Sequence, residues 1–282
     1  MPAETHAAGV ASTSPALTIE NAIPPDMRAA VEARLVAIER NERVRILLAV
    51  ESGSRAWGFP SPDSDYDVRF LYLRPLAHYL SVARRRDVIE IAADDPLPLD
   101  IGGWDFAKAL GLALGSNPVL HEWLRSPIVY RHDGPIVDAL LGFVREEYSL
   151  QRQALHYVAT AERKWRTTVA GREHVRPKDY CYVIRPLLAT AWVVQNISVA
   201  PMNVDELLAG IDVAAELRLA FADFRRRKQA TAEGMVFQRE TVLDRWIERE
   251  LTERRADCLA LPARKPDVER ADRLFREALC IE

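Results

Sequence analysis

The feature that most constrains this chain is a switch of hydrophobic pattern between Val44 and Leu73. Val44 to Val50 is nearly all apolar, as expected for a central strand buried on both faces. Ser52-Gly53-Ser54 follows, then a loop punctuated by Gly58, Pro60 and Pro62, and Asp65-Tyr66-Asp67 opens a second apolar run ending at Leu73. The period in that run is two. Tyr66, Val68, Phe70 and Tyr72 share one face, and Asp65, Asp67 and Arg69 share the other. Carboxylates two residues apart on a strand point the same way, with Cα atoms about 6.5–7 Å apart. Their oxygens can converge on one divalent ion or on a pair; without a cation they repel, and each pKa rises. A short helix starting at Ser52-Gly53-Ser54 would offer free N–H groups and a positive dipole end to an anion. Gly53 lets a phosphate approach the backbone and Ser54 adds a hydroxyl donor, while Arg55 suits either phosphate neutralisation or an exposed surface.

Gly53-Ser54, ten intervening residues, and then Asp65 and Asp67 at a strand start together resemble the DNA polymerase β nucleotidyltransferase superfamily. The resemblance implies that Gly53 and Ser54 hold a nucleoside triphosphate, that Asp65 and Asp67 ligate magnesium, and that Asp67 bridges two ions. Two-metal chemistry needs a third carboxylate. Asp100, within Leu97-Pro98-Leu99-Asp100-Ile101, is expected on an adjacent strand, whereas Asp94 and Asp95 precede Pro96 in a turn. Asp100 would act as metal ligand and proton acceptor. Asp105, before Phe106-Ala107-Lys108, reads first as a helix N-cap.

The segment LDIGGWDFAKAL, Asn117-Pro118 and the stretch Glu122 to Tyr130 sharpen the likeness. So does a K-x-Y-x-Y-x-x-R-P pattern at Lys178, Tyr180, Tyr182, Arg185 and Pro186, with Trp192 beyond it. Together they resemble a bacterial and phage branch of the superfamily, nucleotidyltransferases proposed as RNA-repair-associated polymerases. The implied fold is α+β: a nucleotidyltransferase-type mixed β-sheet domain with flanking helices, plus an all-α C-terminal domain. The implied activity moves a nucleoside monophosphate from a nucleoside triphosphate to a hydroxyl acceptor, an RNA end, using two Mg2+ ions or Mn2+. Protein modification of the AMPylation type, or nucleotide or RNA binding without catalysis, are the alternatives. Lys178 and Arg185, seven residues apart on one helix face, would offset phosphate charge, with Tyr180 stacking on the base. The same spacing suits an ordinary amphipathic helix, and Lys108 is a further cationic candidate.

The 282-residue chain is 49% hydrophobic and 28% charged, with net charge −3, so any nucleic-acid contact must be a local patch. Arg84-Arg85-Arg86 and the Arg163, Lys164, Arg166 cluster are the candidates. Cys181, Cys258 and Cys280 lack metal-ligand spacing, no apolar run approaches a membrane span, and the N-terminus lacks a signal-peptide pattern; the expected location is cytoplasmic. Residues 1–18 read as a disordered tail, 19–133 as the catalytic domain, and 134–282 as helical throughout. The expected helices span Ile136–Tyr148, Leu150–Ala170, Pro177–Gln195 with a kink or break at Pro186, Val204–Ala209, Val213–Ala230, Phe237–Arg255 and Asp267–Leu279. An earlier helix after Pro25 is expected to be capped by Asp26. Phosphatases of the haloacid dehalogenase type also use D-x-D, but there the apolar strand precedes the aspartates; here Phe59-Pro60-Ser61-Pro62 precedes and the apolar run follows.

Overall fold

The computed structural model describes residues 23–83, 85–91 and 97–280. The expected tail at 1–18, Arg84, and the rival carboxylates Asp94 and Asp95 lie outside the described residues.

Helix α1 (Pro25–Glu42) leads into strand β1 (Arg45–Glu51), the five-residue helix α2 (Gly53–Trp57) and strand β2 (Tyr66–Leu73). Helix α3 (Leu76–Tyr79), strands β3 (Val88–Glu90) and β4 (Leu99–Asp105), helices α4 (Phe106–Leu114) and α5 (Pro118–Leu124), and strand β5 (Val129–His132) complete the first half. The five strands form one mixed sheet in the order β3-β4-β2-β1-β5. Only β2 and β4 run parallel, and their register sets Asp67 directly opposite Asp100.

The period-two alternation of β2 sends its two faces to different cores. Tyr66, Val68, Phe70 and Tyr72 pack with Val31, Leu35 and Ile38 of α1. Leu71 and Leu73, on the face that carries Asp67 and Arg69, pack with α4, α5 and further helices. Those helices stop short of the Asp67 end of the strands, which leaves the polar half of that face open. Asp26 does not cap α1: Pro24 holds the cap position and Pro25 starts the helix, because its fixed φ suits the first turn. Asp105 does cap α4, accepting from the Ala107 N–H at 2.8 Å, as its sequence context requires.

Beyond β5 the chain forms α6 (Gly134–Glu147), α7 (Leu150–Lys164), β6 (His174–Val175), α8 (Pro177–Asn196), α9 (Val204–Ala209), α10 (Ala215–Gln229), β7 (Phe237–Gln238), α11 (Thr241–Ala260) and α12 (Val268–Ala278). Three expectations need correction. This half is not helical throughout, since β6 and β7 pair antiparallel, and Phe237 therefore lies in a strand ahead of α11. The helix from Leu150 does not continue regularly to Ala170. At Trp165–Val169 it widens into a π-turn, where the Thr167 and Thr168 hydroxyls donate to the carbonyls of Arg163 and Lys164 and compete with the helical ladder. Helix α8 is not broken at Pro186: it is continuous from Pro177 to Asn196, with most of its residues buried among neighbouring helices. The cores also do not divide at residue 134. Helices α6 and α12 share the core of the sheet with α4, and Phe275 of α12 meets Tyr79 and Phe106.

The two halves are joined through a buried ion pair. Arg185 of α8 is 2% exposed and donates to Glu122 of α5, to the Met202 carbonyl, and stacks its guanidinium over Trp57 of α2. Tyr157 of α7 donates to the same Glu122 carboxylate. Removing one member of such a pair strands a buried charge. Glu122→Ala should therefore destabilise the protein by about 3–5 kcal/mol in urea unfolding, while the double change Glu122→Met with Arg185→Met costs less than either single one.

Candidate functional site

The Gly-Ser turn and the two aspartates meet at the open end of the sheet. The Ser52 N–H donates to the Asp67 carbonyl at 2.8 Å, tying the start of α2 to β2. Gly53 has φ +59, and a Cβ built there would lie 2.0 Å from Asp67 Oδ2. Glycine is required on both counts: only it adopts this backbone at low cost, and only it leaves room for the carboxylate. Ser54 is nearly buried behind it.

Asp67 and Asp100, opposite each other in the parallel register, share one guanidinium. Arg69 Nη2 stands 3.3 Å from Asp67 Oδ1 and 2.6 Å from Asp100 Oδ2, and Arg69 Nη1 donates to the Asp100 carbonyl. Burial, aided by Asp100 and Asp65, lifts the Asp67 carboxyl above its ordinary value, against the pull of Arg69 and Lys178. Asp67 and Asp100, rather than Asp65 and Asp67, are the carboxylates brought together, and the Arg69 guanidinium lies between them. Asp65 is exposed one residue before β2. Among the described residues no three acidic, His or Cys side chains are gathered closely enough to hold an ion, so Asp65 stands beside the pair and outside a finished ligand set.

Arg55, Tyr180 and Arg185 are placed elsewhere than the sequence reading expects. Arg55 Nη2 and Nε donate to the carbonyls of Ser64 and Asp65, with its guanidinium 3.8 Å above the Tyr66 ring. It staples the loop that presents Asp65. Tyr180 is fully buried, donates to Asp244 and packs edge-on against Phe224, so it has no face for a base. Arg185 is consumed by the ion pair with Glu122. A spacing of seven puts Lys178 and Arg185 on one side of α8, but only the first-turn residue clears the neighbouring helices.

Lys178 opens onto a cavity of about 450 Å³ that it lines with Lys164, Arg176, Tyr182 and Glu233. Its ammonium lies 3.0 Å from Glu233 and is close enough to Asp67 to lower that group's pKa. Tyr182 is the aromatic residue of the Lys178–Pro186 pattern that reaches this cavity, edge-on to Trp57 with Lys164 over its ring. Lys164 separates from its cluster partners: it faces the cavity and Asp179, whereas Arg166 turns toward α11. Lys108 pairs with Asp87.

Two functional positions carry little sequence signal. Glu51 ends the apolar run of β1 and is fully buried, accepting from the Asp67 N–H at 2.9 Å and from the Tyr130 hydroxyl at 2.6 Å. Burial pushes its carboxyl up to about 7. Its place after the five apolar residues Ile46 to Val50 is the only trace the sequence offers. Glu233 has none: it accepts from Ser64 Oγ and Lys178, while its N–H donates to Asp63, bridging segments far apart in the chain.

Two outcomes follow. Gly53→Ala places a Cβ against the Asp67 carboxylate at a positive φ and should lower stability in urea unfolding by about 1–3 kcal/mol. The Glu51 carboxyl is protonated when folded at pH values where the unfolded chain has lost that proton, so its contribution to stability is full below about 4.5, falls as pH rises, and is gone above about 7. In metal-free buffer Glu51→Gln should remove that slope and exceed the wild type at pH 8 by up to about 3 kcal/mol.

The family described as RlaP, RNA repair pathway DNA polymerase beta family, matches residues 27–277. The uncharacterized protein YcgL of Bacillus subtilis (strain 168) is 37% identical over 242 residues, covering 86% of this chain and 92% of that relative. A solved nucleotidyltransferase-like protein from Exiguobacterium sibiricum 255-15 aligns over 89% of this chain and 79% of its own at 12% identity, with a TM-score of 0.29. With the family match spanning all five strands of the sheet and the helices around them, the chain belongs to the RNA repair pathway DNA polymerase beta family and is a nucleotidyltransferase.

Proposed function

We propose that this nucleotidyltransferase moves a nucleoside monophosphate from a nucleoside triphosphate to a hydroxyl at an RNA end, with Asp65, Asp67 and Asp100 as its acidic centre. The observation that carries the reading is the Asp67–Asp100 register pair sharing the Arg69 guanidinium. Three hard carboxylate ligands suit Mg2+ or Mn2+, and crowded carboxylates that already draw in a cation fit a divalent ion. When bound, such ions supply charge neutralisation at the phosphates and at the attacking and leaving oxygens. Asp65 is exposed and has room to turn toward the pair.

The chain's own residues account for the rest. The triphosphate lies across the Gly53-Ser54 turn, with Lys178 taking phosphate charge once it leaves Glu233. Tyr182 and Lys164 border the cavity beyond. The acceptor oxygen forms a bond to the α-phosphorus as the bond from that phosphorus to the α–β bridging oxygen breaks. The electron pair leaves with pyrophosphate, and the acceptor proton passes to the Asp100 carboxylate. Glu51 holds the Asp67 backbone in place through its N–H.

The experiment is incubation with each α-labelled triphosphate, magnesium and a mixed RNA and protein extract, asking which fraction becomes labelled. RNA labelling is expected. Asp67→Asn should lower it about a thousandfold, the loss of several kcal/mol of transition-state stabilisation, with an unchanged fold by circular dichroism. Undiminished labelling in both Asp65→Asn and Asp67→Asn would remove the acidic centre from the reaction. Label on protein alone would favour the AMPylation-type reading.

A further inference from the structure

A second opening, distinct from the Lys178 cavity, reaches the acidic centre at Asp100. It is a groove of about 510 Å³ lying on the uncovered face of β3 and β4, walled by α5. Arg69, Val88, Asp100, Gly102, Trp104 and Trp123 line it, so Asp100 stands at its head. Gly102 forms the middle of the floor with no side chain between Asp100 and Trp104. A Cβ there would find ordinary contacts, 3.8 Å to the Ile89 carbonyl and 3.9 Å to Arg69 Nη1, so packing beneath does not demand the glycine. Its absent side chain leaves space in the groove itself. Beyond it, Trp104 stacks on the buried Trp123 with ring centroids 3.8 Å apart, which fixes a partly exposed indole as a rigid wall.

The charge of the groove limits what enters it. Among the described residues Arg69 is the single cationic side chain on its lining and is held by Asp67 and Asp100, while Glu90 adds a further carboxylate. A run of phosphates would be repelled. A neutral, flat group carrying a hydroxyl fits: the volume suits one small ligand, and a fixed indole suits a base. At the outer rim Arg86 pairs with Glu90 and is otherwise exposed, one position where a single phosphate leaving the groove finds a partner.

Resting on the reading of Asp100 as the acceptor side of the centre, we propose that this groove holds the terminal nucleoside of a single-stranded nucleic-acid acceptor. Its base lies against Trp104, its hydroxyl points at Asp100, and its first phosphodiester meets Arg86. The face therefore selects an unpaired end, because it has room for one nucleoside and its lining arginine, Arg69, is already held by Asp67 and Asp100.

The test is equilibrium binding of a 5′-fluorescent single-stranded hexaribonucleotide with a free 3′ hydroxyl, read by anisotropy across salt, with magnesium–triphosphate affinity measured alongside. Trp104→Leu should weaken the oligonucleotide about five- to a hundredfold, the usual range for losing one base–aromatic stack. Gly102→Val, which fills the floor from a strand position that favours β-branched residues, should do the same if Trp104→Leu fails to fold. Arg86→Ala should lower the slope of log affinity against log salt by about 0.7, one single-strand phosphate contact. Oligonucleotide binding unaltered in Trp104→Leu or Gly102→Val overturns the proposal, as does preferential labelling of a hydroxyl-bearing peptide that binds in this groove. Nucleotidyl transfer to protein with no oligonucleotide binding defeats the groove reading but leaves the transferase. Trp104-dependent binding without transfer to any acceptor defeats the reaction and leaves the groove.

Discussion

Electrostatic crowding at one end of a sheet governs this molecule. Parallel pairing of β2 with β4 sets Asp67 against Asp100, β1 brings Glu51 under the same backbone, and Asp65 sits one residue outside. Four carboxyl groups at such spacing repel unless charge is supplied or protons are retained, and the structure does both. Arg69 lies between two of them, Lys178 acts from α8, and burial raises the Glu51 and Asp67 carboxyls. Carboxyls crowded in this way are relieved by any added positive charge.

The helical half answers a different need, holding the loop that carries Asp65. Lys228 of α10 is buried and donates to the Phe59 carbonyl and to Ser61 Oγ, Arg225 reaches the Gly58 carbonyl, and Glu233 bonds Ser64. From within the loop, Arg55 fastens the Ser64 and Asp65 carbonyls. Burying a lysine costs desolvation, seen in its lowered pKa, and is tolerable because its ammonium meets two oxygens. Helices that contribute no carboxylate to the centre thereby set its geometry. Ring contacts of Phe224 with Tyr180 and Phe237 pack α8, α10 and β7 against one another.

What the sequence reveals follows from how local each cause is. The strands around Asp65 and Asp67 are legible because period two and an all-apolar run are written in consecutive residues. Asp100 is legible because its strand can be placed next to β2. Arg185 and Tyr180 mislead because helical spacing reports a face but not what packs on it, and Glu122 and Asp244 come from distant elements. Arg69 is visible on the Asp65–Asp67 face, yet its role appears only when β4 supplies Asp100. Glu233 and Lys228 are illegible for the same reason: their partners lie on a loop more than a hundred residues away. The β6–β7 pairing is a tertiary outcome that propensity does not record.

The parallel register has a consequence for how such a chain can change over time. On β4 the even-numbered Asp100, Gly102 and Trp104 line the groove, while Leu99, Ile101 and Gly103 face α1 and its core. One residue inserted within the strand would swap the two sets, burying Asp100 and exposing Ile101 together. Residues added to the connection between β3 and β4 leave that alternation intact. A residue gained or lost within β4 must therefore be absorbed in a bulge, as the register shifts of β1 are, if Asp100 is to keep its face.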